Sequence, residues 1–181
     1  MKSHVDANYR FIAAYQEVNA RIAQRQQALS LYITLVVSLL AALVALKPGE
    51  NSGTLPIEWL ILGFPVASLC LAMLNYKAER AITNLRRFLS TLERLDNAHE
   101  QLPSYNTDSH WALGANKARK MHDLTAAILV AGSNGIAIGA AWHIYPERIA
   151  DNPAILWITA AVALFSLAAI LVTPRWSYRP E

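Results

Sequence analysis

Hydrophobic and polar positions in this chain are first sorted into long blocks, and only within the polar blocks into faces. Four apolar runs stand out: Leu29–Leu46, Ile57–Tyr76, Leu124–Trp142 and Ala154–Thr173. Each is near the length that crosses a hydrocarbon core of about 30 Å as a helix. None contains Lys, Arg or Asp, and the single acid, Glu58, sits at the edge of the second run. The pattern predicts an all-α, polytopic membrane protein with four transmembrane helices. Hairpins 29–76 and 124–173 flank a polar segment, 77–123, with residues 1–28 before them and a tail, 174–181, after them.

The polar blocks read as helices with one apolar face. Phe11, Tyr15, Val18 and Ile22 recur at spacings of four, three and four, which predicts an amphipathic helix over 6–28 continuing into the first span. Such a helix either lies in the headgroups or projects from the membrane and packs on the middle segment. In that segment Ile82, Leu85, Leu89 and Leu92 repeat three, four and three apart, the seam of a short coiled coil. Phe88 and Leu95 widen it. Intramolecular packing and a subunit interface both use such a stripe. The helix is expected to end near Gln101, before Pro103. Ser104–Trp111 follows as a polar stretch rich in aromatic and hydrogen-bonding groups, Gly114 closes it, and Asn116 is placed as the cap of a short helix bearing Lys117, Arg119 and Lys120.

Loops and aromatics complete the frame. Lys47-Pro48-Gly49 and Glu50–Gly53 form a turn by composition, Pro56 opens span two, and Pro65 inside it is expected to kink the helix. Trp59, Trp142, Tyr145 and Trp157 are assigned to one interfacial belt, and Tyr32, Tyr76, Trp176 and Tyr178 to the other.

Charge sets the expected orientation. Fourteen of the sixteen Lys and Arg residues fall in 1–28, 77–123 and 174–181, leaving Lys47 and Arg148 in the two short connections. By the positive-inside rule both termini and the middle segment are expected to be cytoplasmic. The formal net charge of +3 then reflects topology and anionic lipid, and no direct nucleic-acid binding is expected. The N-terminus lacks the short apolar run and cleavage site of a signal peptide, so the first span is read as retained.

Span three carries a ladder of small residues, Ala127, Ala131, Gly135 and Gly139, the last two forming a GxxxG. In lipid, small residues let helices approach closely, so the ladder is read as a helix-packing or oligomer face. Asn134 beside it needs a partner in protein or water. Ser30, Thr34, Ser38 and Ala42 in span one, and Thr159, Ala163 and Ser166 in span four, make similar series.

Chemistry for catalysis is missing. Ser133 and His143 are ten residues apart on one helix, about 15 Å of rise, too far for a nucleophile and its base. His99, His110 and His122 lack ligand spacing, the one cysteine, Cys70, lies in a span, and no glycine-rich loop would cradle phosphate. No catalytic residue, metal site or cofactor is expected. No span carries the buried acid of a proton-coupled carrier, and a carrier for a neutral solute is the least favoured of the functions considered.

An N-terminal amphipathic helix, a membrane hairpin and a polar helix continuing from it, over residues 6–101, resemble in layout the small membrane effectors of bacterial anti-phage systems. These include the SLATT proteins and membrane accessory proteins of CRISPR and related defence loci. The resemblance implies membrane disruption or pore formation on cue from a soluble partner. The leading functional expectation is an oligomeric effector or channel-like module, with a non-conducting scaffold or sensor as the alternative. Expected partners are membrane lipid, further copies of the chain and a cytosolic protein. The site for that protein is placed at Tyr105, Asp108, His110 and Trp111 beside Lys117–Lys120, because Tyr105 and Trp111 offer large contact area with little rotamer entropy. The alternative there is a solvated connector with Trp111 anchored at the headgroups.

Overall fold

A computed structural model describes residues 6–46, 57–101 and 104–180. The chain is all-helical among these residues: α1 (Ala7–Ala45), α2 (Ile57–Glu93), α3 (Ser109–Ile144), the short α4 (Pro146–Asp151) and α5 (Ala154–Val172). Two 3-10 turns follow α2 and α5, at Leu95–Glu100 and Thr173–Trp176. Four of the helices, all but α4, are long and apolar enough to cross a membrane. The expected turn over 47–55, Pro56, Pro103 and the side chain of Glu58 lie outside the described residues.

Length decides the architecture. α1, α2 and α3 have 39, 37 and 36 residues, whereas α5 has 19. At 1.5 Å per residue the first three reach roughly 55 Å and α5 about 28 Å. All four share an apolar bundle, but only α1, α2 and α3 extend beyond it, into a polar layer. There the chain after α5 folds back against α2 and α3.

α1 starts where Asp6 accepts a hydrogen bond from the Asn8 N–H at 3.1 Å, a side-chain N-cap. It then runs unbroken through the polar and apolar blocks, as the absence of Pro and Gly before residue 46 allows. Its polar half projects and packs: Ala14 and Val18 bury against Ile82 and Leu89, with Phe11 and Leu85 alongside. The seam of α2 is thus used within one protomer. Ile82 and Leu89 are buried, Leu85 and Leu92 half-buried, while Phe88 and Leu95 stay exposed. α2 itself runs through Pro65 as one helix.

Two boundaries differ from expectation. α2 stops at Glu93, not near Gln101, because Asp96 (φ 53°) and Asn97 (φ 58°) adopt left-handed backbone. Short polar side chains tolerate that region best after glycine. α3 begins at Ser109, where Asp108 accepts from the His110 N–H at 2.7 Å. Gly114 and Asn116 therefore lie inside α3 instead of closing a loop and capping a helix.

The apolar bundle has two clusters. One gathers Tyr32, Val36, Phe64, Leu71, Val130 and Ile170. The other, toward α4, gathers Leu43, Ile61, Ala141, Tyr145, Ile149 and Ile155. The close helix approach is at Gly63, where a Cβ would sit 3.1 Å from a methyl of Leu39. The ladder on α3 does not serve this purpose within the chain. Ala127 is buried, but Ala131, Gly135 and Gly139 are exposed, and a Cβ on either glycine meets nothing within 4 Å.

Asn134 turns inward. Its Nδ2 donates to Ser68 Oγ and to the Val130 carbonyl, each at 2.8 Å. The Tyr32 hydroxyl joins the same group, 3.1 Å from Ser68 Oγ and 2.6 Å from Ser133 Oγ. Tyr32 is thus core, and so is Tyr145, whose hydroxyl donates to the Leu43 carbonyl at 2.8 Å. A buried phenol usually finds a hydrogen-bond partner, as both do here. Thr159 and Ser166 of α5 also face inward, whereas Thr34 and Ser38 of α1 are exposed and bond to their own helix backbone.

Candidate functional site

Where the three long helices leave the apolar bundle, four charged side chains converge. Arg25 on α1 donates to Glu79 Oε2 on α2 at 3.1 Å and to Asp123 Oδ1 on α3. Arg119, one turn before Asp123, donates to Glu79 Oε1 at 3.1 Å. Arg25 is 5% exposed, Asp123 1% and Glu79 fully buried. One carboxylate thus bridges two guanidiniums, and one guanidinium bridges two carboxylates.

Removing these charges from water has a visible electrostatic cost. Burial raises the Asp123 carboxyl above its ordinary range, against the opposing hydrogen bond from Arg25. Burial likewise lowers Arg119, against the pull of Glu79. His122, between them on α3, is lowered by burial and by the positive charge of Arg25.

A second arginine group lies one layer further out. Arg86 donates from Nε to Asn106 Oδ1 at 3.1 Å, from Nη1 to Asn116 Oδ1 at 3.5 Å, and from Nη2 to the Tyr105 carbonyl. All three acceptors are neutral. Burial and the nearby charge of Arg119 lower its pKa to about 10. Behind Asn106, Glu93 accepts its Nδ2 at 2.8 Å and also accepts from Ser104.

The segment after α5 closes one side of this region. Ser177 Oγ donates to Glu79 Oε1 at 2.8 Å, and Thr83 Oγ1 donates to the Trp176 carbonyl at 2.9 Å. Asn116 Nδ2 donates to the Tyr178 carbonyl at 2.9 Å, and the Tyr178 hydroxyl donates to the Asn106 carbonyl at 2.8 Å. Arg86 also lies over the Tyr178 ring, 5.3 Å from its centre. Tyr178, assigned from the sequence to an interfacial belt, is instead buried in this network, because its hydroxyl and carbonyl both find partners there. Trp176 remains half exposed, edge-on to Tyr76.

On the opposite side, between α1 and α3 and floored by α2, opens a cleft of about 460 Å³. Arg25, Arg86, Arg119 and His122 line it, with Tyr15 and Tyr105 among its aromatic walls. No carboxylate lines it among the described residues.

The loop expected to meet a partner is divided by these roles. Tyr105 lines the cleft and carries a carbonyl that holds Arg86. Asp108 is the N-cap of α3. Trp111 is exposed, edge-to-face with Tyr105 at 6.2 Å and with His110 at 5.4 Å. Lys117 and Lys120 are exposed, whereas Arg119 points inward. Among the described residues no cluster of His, Cys, Asp and Glu could hold a metal ion.

Spacing along the sequence does not single out Arg25, Glu79 or Asp123. One signal was present. Arg25 precedes Leu29 by four residues, Glu79 follows Tyr76 by three, and Asp123 adjoins Leu124. Opposite charges therefore stand at similar depth on three helices. Comparison with protein-family models, with curated proteins and with solved structures finds no match to this chain.

Proposed function

We propose that this protein is a non-catalytic membrane sensor or scaffold whose polar layer engages a soluble ligand or partner and relays that event to the four-span bundle. In this reading it sits in a bacterial inner membrane with both termini and residues 77–123 in the cytoplasm. The distribution of Lys and Arg supports that orientation, and a reporter fused at Gly49 or Asp151 should register outside the cytoplasm.

The ion-paired junction Arg25–Glu79–Arg119–Asp123 carries the reading. Buried ion pairs contribute little net stability relative to apolar packing, so their use at a boundary is better suited to specifying one arrangement of helices over another. This junction joins all three long helices where the polar layer meets the bundle, and Arg25 and Arg119 also line the cleft. Spin labels test the relay. One pair at exposed Tyr15 and Lys117 reports on the polar layer, and one at exposed Leu35 and Ile128 reports on the bundle. Glu79→Leu should change both distance distributions; a bundle pair that stays fixed while the polar pair moves would sink the relay.

A second reading, an oligomeric channel-like effector acting in anti-phage defence, is favoured by the exposed Ala131, Gly135 and Gly139 face, which is open to a second copy. Ion flux from liposomes holding the purified chain distinguishes the two. The sensor reading expects none above empty liposomes.

A further inference from the structure

We propose that the cleft between α1 and α3 is a binding site for a soluble organic phosphate, a phosphate ester whose apolar or aromatic body remains at the mouth. This rests on the sensor reading and names the class of ligand sensed.

Three observations converge on an anion. Among the described residues, Arg25, Arg86 and Arg119 line the cleft without a carboxylate among its walls. Arg25 and Arg119 are paired from behind by Glu79 and Asp123, but Arg86 donates only to neutral acceptors. A buried guanidinium of that kind gains most from a charged acceptor, and its planar fork matches phosphate. Finally, Arg25 Nε and His122 Nε2 are buried polar atoms with no hydrogen-bond partner among the described residues, and both residues line the cleft. Buried polar atoms without partners are uncommon and call for an explanation.

The order of groups along the helices separates a soluble ligand from a lipid. The inner end, next to the apolar bundle, carries Arg25, Arg119 and His122. The outer end carries Tyr15, Leu89 and Tyr105. From Tyr15 to Arg25 is ten residues, about 15 Å of rise. A lipid would need the reverse, with its headgroup outward and its chains toward the bundle. A soluble ester entering phosphate-first passes Arg86, which lies further out beside Tyr105, meets the Arg25 and Arg119 guanidiniums at depth and leaves its body between the aromatic walls. The cleft volume of about 460 Å³ suits a small organic molecule.

The test uses the full chain in detergent with 1-naphthyl phosphate as probe, read by calorimetry. One probe should bind per cleft, with 1-naphthol and inorganic phosphate each at least tenfold weaker. Ala118→Phe places a ring in the cleft from an exposed position and should weaken the probe by at least tenfold. Arg86→Gln should do the same, while Lys120→Gln, exposed and outside the cleft, should bind as the parent does. If Arg86→Gln loses helicity by circular dichroism, Ala118→Phe alone decides. Absent saturable binding, or binding indifferent to Ala118→Phe, overturns the site. Displacement of the probe by phosphatidylglycerol in nanodiscs, lost in Ala118→Phe, would make it a lipid site and overturn the soluble assignment. Binding that behaves as expected beside a fixed bundle label pair would keep the site and remove the relay.

Discussion

The apolar bundle and the polar layer are built from the same three long helices but held by different physics. In the bundle, side-chain hydroxyls mostly turn back on their own helix: Ser68 onto Phe64, Ser166 onto Val162, Thr173 onto Ala169. What joins the helices is aliphatic packing, with a small polar group around Tyr32 and Asn134 and the bond from the Tyr145 hydroxyl to the Leu43 carbonyl. In the polar layer the bonds run between helices: Arg25 reaches Glu79 and Asp123, 54 and 98 residues away. Packing spread over many weak contacts tolerates the loss of any one. A network with one bridging carboxylate does not. The same chain thus has a forgiving half and an unforgiving half.

The most direct way to break that contrast is Glu79→Leu, which leaves buried Arg25 with Asp123 alone and Arg119 with no bonded carboxylate. Removing one partner of a buried pair costs on the order of 3–5 kcal/mol, so unfolding in detergent should show a large loss of stability. Asp123→Asn should cost less, because burial already favours the uncharged carboxyl there. A loss from Asp123→Asn equal to that from Glu79→Leu would mean that the two acids share the load.

In the bundle the sharpest test is Gly63→Leu. A Cβ there falls 3.1 Å from Leu39, and overpacking of this kind costs about 1–3 kcal/mol. If thermal unfolding is unchanged, α1 and α2 can separate without penalty and the bundle is looser than described.

Acid should distinguish the halves more gently. His122 has a lowered pKa when folded, so below its ordinary value of 6.5 the unfolded chain takes up the proton first. Its contribution to stability is therefore present above that pH and is lost as pH falls through the lower, folded pKa. Asp123, raised by burial, has the opposite sign. His122→Gln should flatten the decline of melting temperature below pH 6.5 relative to the parent; parallel curves would remove His122 from the account.

The smallest effect is expected at Gly135→Leu and Gly139→Leu. Each side chain enters open space, so a single copy should change by no more than about 0.5 kcal/mol, typical of surface sites. Crosslinking between copies in membranes should fall only if that face joins protomers.

Much of the frame was legible in the sequence because membrane spans and amphipathic stripes are local patterns. The stripe Ile82–Leu92 and the face of Phe11 and Val18 could be read from spacing alone, and they meet. The end of α2 was not legible, since nothing in Asp96-Asn97 announces a left-handed pair in place of a stop at proline. Asn116 looks like a cap in sequence because asparagine favours caps, and only the positions of Arg86, Arg119 and Tyr178 give it another use. The junction itself was hidden for a similar reason. Arg25, Glu79 and Asp123 each resemble solvated flank charges until three helices bring them together. The ladder shows the converse: Gly135 and Gly139 are conspicuous in sequence, yet the close approach falls at Gly63.

Trp176, Ser177 and Tyr178 give the layer a temporal order during synthesis. Their partners on α2, on α3 and in the loop between them, from Tyr76 to Asn116, lie earlier in the chain and must be made first. Until they emerge, the Tyr178 carbonyl cannot meet Asn116, and Glu79 lacks one of its three donors. The helices can insert one after another, but the network is finished only when translation has passed residue 178. Quality-control proteases that sample a nascent chain would meet an unfinished layer on every molecule arrested short of that point.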